Sequence, residues 1–166
     1  VVARGTTGKG QWLDISLLDG TISWMTYMAG YYFATGKNPE KLGSAHPTIV
    51  PYQCFRTKDK QFVTLALGND KLFRIFCKTI GHEKLADDSR FTTNAKRVNN
   101  RKQLIPILER TFLKKTRKQW LQILTDAELP VGPVYSLSEI FADPHVVQRE
   151  MVVAVQHPVA GKIKQI

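Results

Sequence analysis

The residues able to do chemistry in this chain are scattered, and their spacing excludes the commonest catalytic machinery. GTTGKG places a lysine after a glycine, as a phosphate-binding loop does. Such a loop needs four residues between its glycines and a Ser or Thr after the lysine. Gly5 and Gly8 are separated by two residues and Gly10 follows Lys9, so the cradle and the magnesium-binding hydroxyl are missing and the stretch reads as a turn. Of the four histidines, His46, His145 and His157 neighbour prolines in expected loops, and none of these or His82 pairs with another His or Cys at metal-ligand spacing. No metal is expected. No nucleophile-elbow pattern selects a serine. Asp14 and Asp19 could act as paired carboxylates in proton transfer, but read more simply as a strand-end cap or ion-pair partners.

Charge is the strongest compositional signal. The 166 residues carry 24 Lys and Arg against 14 Asp and Glu, a net charge of +10. That suits an anionic partner: nucleic acid, an acidic membrane surface or a polyphosphorylated molecule. Two basic clusters, Lys96, Arg97, Arg101, Lys102 and Lys114, Lys115, Arg117, Lys118, read as solvated helix faces. A nucleic-acid surface would interleave aromatic side chains with the cations. Phe112 and Trp120 fall on the apolar side instead, which makes a basic nucleic-acid-binding module the weaker alternative.

The chain is long enough to bury one substantial core, and no apolar run approaches the ~20 residues of a bilayer span. Cys54 and Cys77 sit in apolar contexts, one in a strand and one on a helix, and read as free thiols in a reducing compartment. The beginning VVARG and the ending GKIKQI are expected to be internal to a longer polypeptide.

The elements that must position these residues follow from periodicity. GQWLDISLLDG alternates as a strand and runs into a helix near Ser16 to Asp19. Ile22, Met25, Ala29 and Tyr32 continue on a helical face, which Gly36 stops. The connector GKNPEKLGS marks a domain boundary. Tyr52–Thr57 and Phe62–Leu67 form a hairpin around Lys58-Asp59-Lys60, whose lack of glycine predicts a longer loop. Asn69 or Asp70 caps a helix presenting Leu72, Phe73, Phe76, Cys77 and Ile80, closed by Gly81. A helix from about Asn94 places Arg101, Ile105, Leu108 and Phe112 on one side, with Pro106 expected to bend or divide it. Thr116 to Gln119 and Ser136 to Glu139 are capping boxes. ELPVGPV is a rigid loop or short edge strand, Asp143-Pro144 starts another helical turn, and Val152–Val155 pairs with a strand from Lys162. The fold class expected is α+β, a small antiparallel sheet flanked by helices.

Five segments, TGKGQWLDISLLDG, KLGSAHPTIVPYQCFRTKDKQFVTLALGND, RFTTNAKRVNNRKQL, LPVGPVYSLSEIFADPHVVQREMV and HPVAGKI, resemble in order and spacing the class III CoA-transferases, which include formyl-CoA transferase and related acyl-CoA racemases. GSAHPTIVPYQCFRTKDK looks like the succinyl-CoA:glutarate type. The resemblance implies a two-domain α/β enzyme: residues 1–40 ending the large domain and its linking helix, 41–151 the small domain, 152–166 beginning a return strand. It implies transfer of CoA between carboxylic acids, dicarboxylates above all, through an aspartyl acyl-anhydride and an aspartyl-CoA thioester. An acyl-CoA racemase is the alternative within the family.

By the same resemblance, no catalytic residue is expected in this chain, because the nucleophilic aspartate lies upstream of Val1. Coenzyme A enters as substrate, with no metal. The partners implied are acyl-CoA and carboxylic acid substrates and a second subunit in an interlocked homodimer, with no membrane. The compartment implied is the cytoplasm, or the mitochondrial matrix in a eukaryote. The family's mobile glycine-rich active-site loop falls on Pro47, Thr48, Ile49 and Val50, next to His46. No glycine stands there, and proline and β-branched residues stiffen a backbone. A fixed wall is expected, with His46 and Thr48 offering hydrogen bonds to a substrate carboxylate.

Overall fold

Residues 2–166 are described in a computed structural model of the chain. They fall into two compact units, one ending at Lys41 and the other spanning Leu42–Ile166. The first consists of helices α1 (Val2–Thr7), α2 (Leu17–Ser23) and α3 (Thr26–Thr35). Ser16 caps α2, its Oγ accepting the Asp19 N–H at 3.2 Å. Ser23 Oγ then donates to Gly20 O at 2.7 Å, occupying the carbonyl that a continuing helix would offer to the Trp24 N–H. The Trp24 N–H turns to Thr21 O at 3.3 Å, and the helix breaks before Thr26, where the sequence suggests one continuous face. Gly36 ends α3 at φ 69°, a left-handed conformation that favours glycine.

The strand expected before α2 does not form. Trp12, Leu13 and Ile15 are exposed at 92%, 80% and 83% in an irregular segment. Alternation marks residues that suit a ladder, but a strand exists only when a neighbour completes its hydrogen bonds. Among the described residues, none pairs with this segment.

In the second unit β1 (Tyr52–Arg56) and β2 (Phe62–Ala66) form the expected antiparallel hairpin, with Cys54 opposite Thr64. Residues 57–61 make the longer connection, held by Thr57 N–H donating to Gln61 O at 2.9 Å and Thr57 Oγ1 donating to Asp59 Oδ1 at 2.5 Å. Helices α4 (Asp70–Thr79), α5 (Lys84–Asp87), α6 (Asn94–Asn99), α7 (Arg101–Phe112) and α8 (Arg117–Asp126) follow. Strand β3 (Val131–Pro133) joins the edge of the sheet beside β2, in the order β1-β2-β3. An edge tolerates Pro133, which has no N–H to give a further neighbour. Short helices α9 (Leu137–Ile140) and α10 (Pro144–Gln148) lead to a separate hairpin of β4 (Val153–His157) and β5 (Gly161–Gln165). The α+β class expected from the sequence is the class found.

The core lies where one face of the sheet meets the helices. Val63, Leu65 and Leu67 alternate inward and are fully buried, with Phe55 from β1. Phe73 and Phe76 of α4, Leu104, Leu108 and Phe112 of α7, and Trp120 and Leu124 of α8 meet them. The Phe112 ring stacks on Phe55 at 4.6 Å between centroids and lies 5.0 Å from Trp120, whose Nε1–H donates to Phe112 O at 2.7 Å. Burying each such side chain stabilises the fold by about 1.5–3 kcal/mol. Both cysteines are free thiols, and burial pushes the Cys77 thiol up to about 12.

Two expectations change in this region. Pro106 does not divide the helix: α7 runs through it, and the division falls at Asn100 instead. Pro106 and Lys102, whose carbonyl loses its helical partner, are both exposed residues. Nor are the basic clusters uniformly solvated. Lys96, Lys102, Lys114, Lys115 and Lys118 are exposed, but Arg97 is fully buried and Arg101 and Arg117 are partly so. Arg97 Nε donates to Val50 O at 2.7 Å and Nη1 to Phe91 O at 3.0 Å. Nη2 lies 2.9 Å from Asp70 Oδ1, an ion pair without hydrogen-bond alignment, and the guanidinium covers the Phe73 ring at 4.3 Å. Arg117 pairs with Glu139 and donates to Val134 O at 2.9 Å.

Two measurements on the full-length protein check this packing. Arg97→Met removes the charge but strands the carbonyls of Val50 and Phe91 and the Asp70 carboxylate. It is expected to destabilise the fold by about 3–5 kcal/mol, read as a lowered urea midpoint, while Lys96→Met leaves it in place. Glu139 is held down to about 2, first by its bond from Arg117 and then by the Ser136 N–H. A carboxyl lowered on folding stabilises above its unfolded value and loses that contribution as pH falls through the folded one. The wild type is expected to lose stability relative to Glu139→Gln between pH ~4.5 and ~2 in acid titration; parallel titrations would refute the pairing.

Candidate functional site

The segment from His46 to Val50 enters β1, and side chains of α6 and α7 hold its backbone. The His46 N–H donates to Tyr52 O at 2.8 Å, turning the segment back toward the strand. Asn94, the first residue of α6, spans the segment with its side-chain amide. Its Oδ1 accepts the Val50 N–H at 3.0 Å and its Nδ2 donates to Thr48 O at 2.7 Å. A backbone N–H can only donate and a carbonyl only accept, so these partners fix which way the amide points. Arg97 Nε takes the Val50 carbonyl, as above. Arg101, the first residue of α7, donates from Nη2 to His46 O at 2.6 Å and Pro47 O at 3.1 Å.

Within the segment the His46 ring stacks on Tyr52 at 5.1 Å and 12°. The Thr48 N–H donates to His46 Nδ1 at 3.2 Å. Thr48 is exposed, His46, Pro47 and Ile49 are half-buried, and Val50 is buried in the core. The five positions named from the sequence thus form one continuous stretch, anchored at Val50 and exposed at Thr48. Its polar side chains are a hydroxyl and an imidazole, able to give hydrogen bonds to an oxygen-bearing ligand. Behind it stands a cation: Arg101 has no carboxylate partner among the described residues, and burial lowers its guanidinium from the ordinary value.

The other candidates separate. His82 Nε2 meets Thr111 Oγ1 at 2.9 Å, and His157 Nδ1 accepts the Val159 and Ala160 N–H groups inside the β4–β5 turn. Among the described residues no three His, Cys, Asp or Glu side chains group to hold a metal ion, and neither Asp14 nor Asp19 forms an ion pair. A hollow of about 700 Å³ lined by Leu137, Phe141, Val152 and Ile166 is largely apolar.

Sequence reasoning missed Asn94, Arg97 and Arg101 as the holders of this segment. The signal was present in their spacing of three and four, which continues into Leu104, Ile105 and Leu108. Positions 94, 97 and 101 therefore share the core-facing side; Arg101 was placed there with Ile105 and Leu108, while the charge of Arg97 hid its burial.

Comparison with known proteins now has a geometry to act on. Over 163 residues the chain is 35% identical to the human succinyl-CoA:glutarate CoA-transferase, covering 98% of this chain and 37% of that protein. It is 37% identical over 151 residues to the acetyl-CoA:oxalate CoA-transferase of Acetobacter aceti, covering 91% of this chain and 39% of that one. A solved structure of a CaiB/BaiF family protein from Brucella suis superposes with a TM-score of 0.78 at 33% identity, over 98% of this chain and 45% of that one. The chain therefore spans less than half the length of the relatives it matches. The model of CoA-transferase family III matches residues 1–166, and the chain belongs to that family.

Proposed function

We propose that this chain is the small domain, with the linking helices before it, of an enzyme that moves CoA between dicarboxylic acids, and that residues 46–50 form one wall of its active site. The observation that carries the reading is the held segment. In it a half-buried imidazole, an exposed hydroxyl and an arginine with no carboxylate partner among the described residues come together. Relatives named for succinyl-CoA, glutarate and oxalate support the substrate class.

The chemistry is covalent catalysis by a carboxylate that residues 1–166 do not supply. An aspartate attacks the donor thioester, CoA thiolate leaves, and a mixed anhydride forms. The thiolate attacks the aspartyl carbonyl, releasing the donor acid and leaving an aspartyl-CoA thioester. The acceptor carboxylate displaces the thiolate, and the thiolate returns to the acceptor's acyl carbon. An anhydride hydrolyses readily, so the 46–50 wall excludes water while His46 and Thr48 orient the substrate carboxylate. The exposed lysines suit a ligand bearing three phosphate groups. The working form is an interlocked homodimer in the cytoplasm, or in the mitochondrial matrix of a eukaryote; no described helix is long and apolar enough to cross a membrane.

The full-length protein is expected to transfer CoA from succinyl-CoA to glutarate or oxalate, read by appearance of the acceptor thioester. Thr48→Val, which keeps the shape and removes the hydroxyl, is expected to lower kcat/KM by roughly tenfold, the order of one hydrogen bond. Deuterium exchange at the α-carbon of a 2-methylacyl-CoA with no acceptor acid present would replace this reading with racemisation.

A further inference from the structure

Arg101 is an awkward residue for a helix that faces a core. The positions after it on the same side are Leu104, Ile105 and Leu108, all buried. Its Nη1 is itself buried with no hydrogen-bond partner among the described residues, and no carboxylate neutralises it. A buried donor left unmatched costs about 1–3 kcal/mol. An aliphatic side chain would avoid that loss, so whatever Arg101 contributes lies at Nη2, on the carbonyls of His46 and Pro47.

Those two carbonyls bracket the turn that brings the Thr48 N–H to within 3.2 Å of His46 Nδ1. A backbone N–H has no lone pair to accept with, so Nδ1 must present its own lone pair. A neutral His46 ring then carries its proton on Nε2. Stacking on Tyr52 fixes the plane of the ring, and the Arg101 contacts fix the backbone that carries it.

We propose that Arg101 is a positioning residue for His46: by holding the His46 and Pro47 carbonyls it keeps the segment in the one conformation where the Thr48 N–H occupies Nδ1, and so makes Nε2–H the imidazole donor of this wall. The inference deepens the proposed substrate-facing role of residues 46–50 and rests on it for its consequence in catalysis, but the tautomer can be measured without substrate. Lysine cannot replace this arginine fully. Both bonds leave Nη2, whose two N–H groups are held in the guanidinium plane, whereas the three N–H groups of an ammonium turn freely on a flexible stem.

The test uses the full-length protein with selectively ¹⁵N-labelled histidine, observed above pH ~8 where an ordinary imidazole is neutral. The His46 signal is assigned by its loss in His46→Gln. The wild type is expected to show a single Nε2–H tautomer. Arg101→Gln is expected to shift it to a mixture, Arg101→Lys to restore it in part, and Lys102→Gln, on the exposed side of the same turn, to leave it alone. KM for the acceptor acid is expected to rise roughly tenfold in Arg101→Gln with kcat changing less. An Nδ1–H tautomer in the wild type, or an unchanged tautomer in Arg101→Gln, overturns the proposal. Should Arg101→Gln fail to fold, the wild-type tautomer and Arg101→Lys decide the matter. A tautomer that responds while KM does not would uphold the positioning role and remove the substrate-facing one.

Discussion

A guanidinium taken out of water constrains much of the second unit. Arg97 is fully buried, and the free energy of removing a charge from solvent has to be offset locally. The offset comes from four directions: the Val50 carbonyl, the Phe91 carbonyl, the Asp70 carboxylate and the face of Phe73. These belong to the entry of β1, the turn before α6, and α4, so one side chain ties three chain segments to α6. The two carbonyls are held at a fixed distance and orientation, because hydrogen bonds to a planar cation are directional where hydrophobic contacts are not. The aromatic stack of Phe55, Phe112 and Trp120 supplies bulk to the core. Arg97 supplies registry between the core and the segment that enters it.

The same distinction explains how a strongly basic chain distributes its charge. The lysines of the two clusters stay in water, and the arginines turn inward. An ammonium is compact and strongly hydrated, whereas a guanidinium is flatter, less hydrated and able to satisfy several acceptors in one plane. Arg97, Arg101 and Arg117 each take backbone carbonyls at places where the chain is not in a ladder or a helix. Irregular backbone packed against a core has carbonyls with no regular partner, and side-chain donors are how such groups are satisfied. Part of the charge of these two clusters is therefore structural, and within them the lysines are the cations left open to solvent.

Much of the fold was legible because it rests on local rules. The capping boxes at Thr116 and Ser136, the caps at Asn69 and Asp143, the stop at Gly36 and the hairpin over residues 52–67 all depend on residues close in sequence, and all are found. What was misread depends on partners far along the chain. The Trp12–Ile15 alternation reads as a strand because its side chains fit one, but no local feature reports whether a ladder partner exists. Arg97 reads as surface because charge is normally solvated; its partners Val50 and Asp70 lie 47 and 27 residues away in sequence. Pro106 does not divide its helix, since α7 runs through it at a position where both Pro106 and Lys102 are exposed. The segment 46–50 was singled out by likeness to a family, and Pro47, Thr48, Ile49 and Val50 stand where that family carries glycines. The residues that hold it were not, because nothing local links Asn94 and Arg101 to His46.

A segment held in this way differs in kind from a flexible loop. Ordering a residue's backbone costs of order 1–2 kcal/mol, and a mobile loop incurs that cost when it closes over a substrate. Here the cost is met during folding, by Asn94, Arg97 and Arg101 acting on an exposed stretch of chain that contains Pro47 and two β-branched residues before Val50. A ligand that met this segment would not lose binding energy to ordering it. The corollary concerns access. A segment whose carbonyls are held at positions 46, 47, 48 and 50 cannot open by itself without breaking several charge-assisted bonds together.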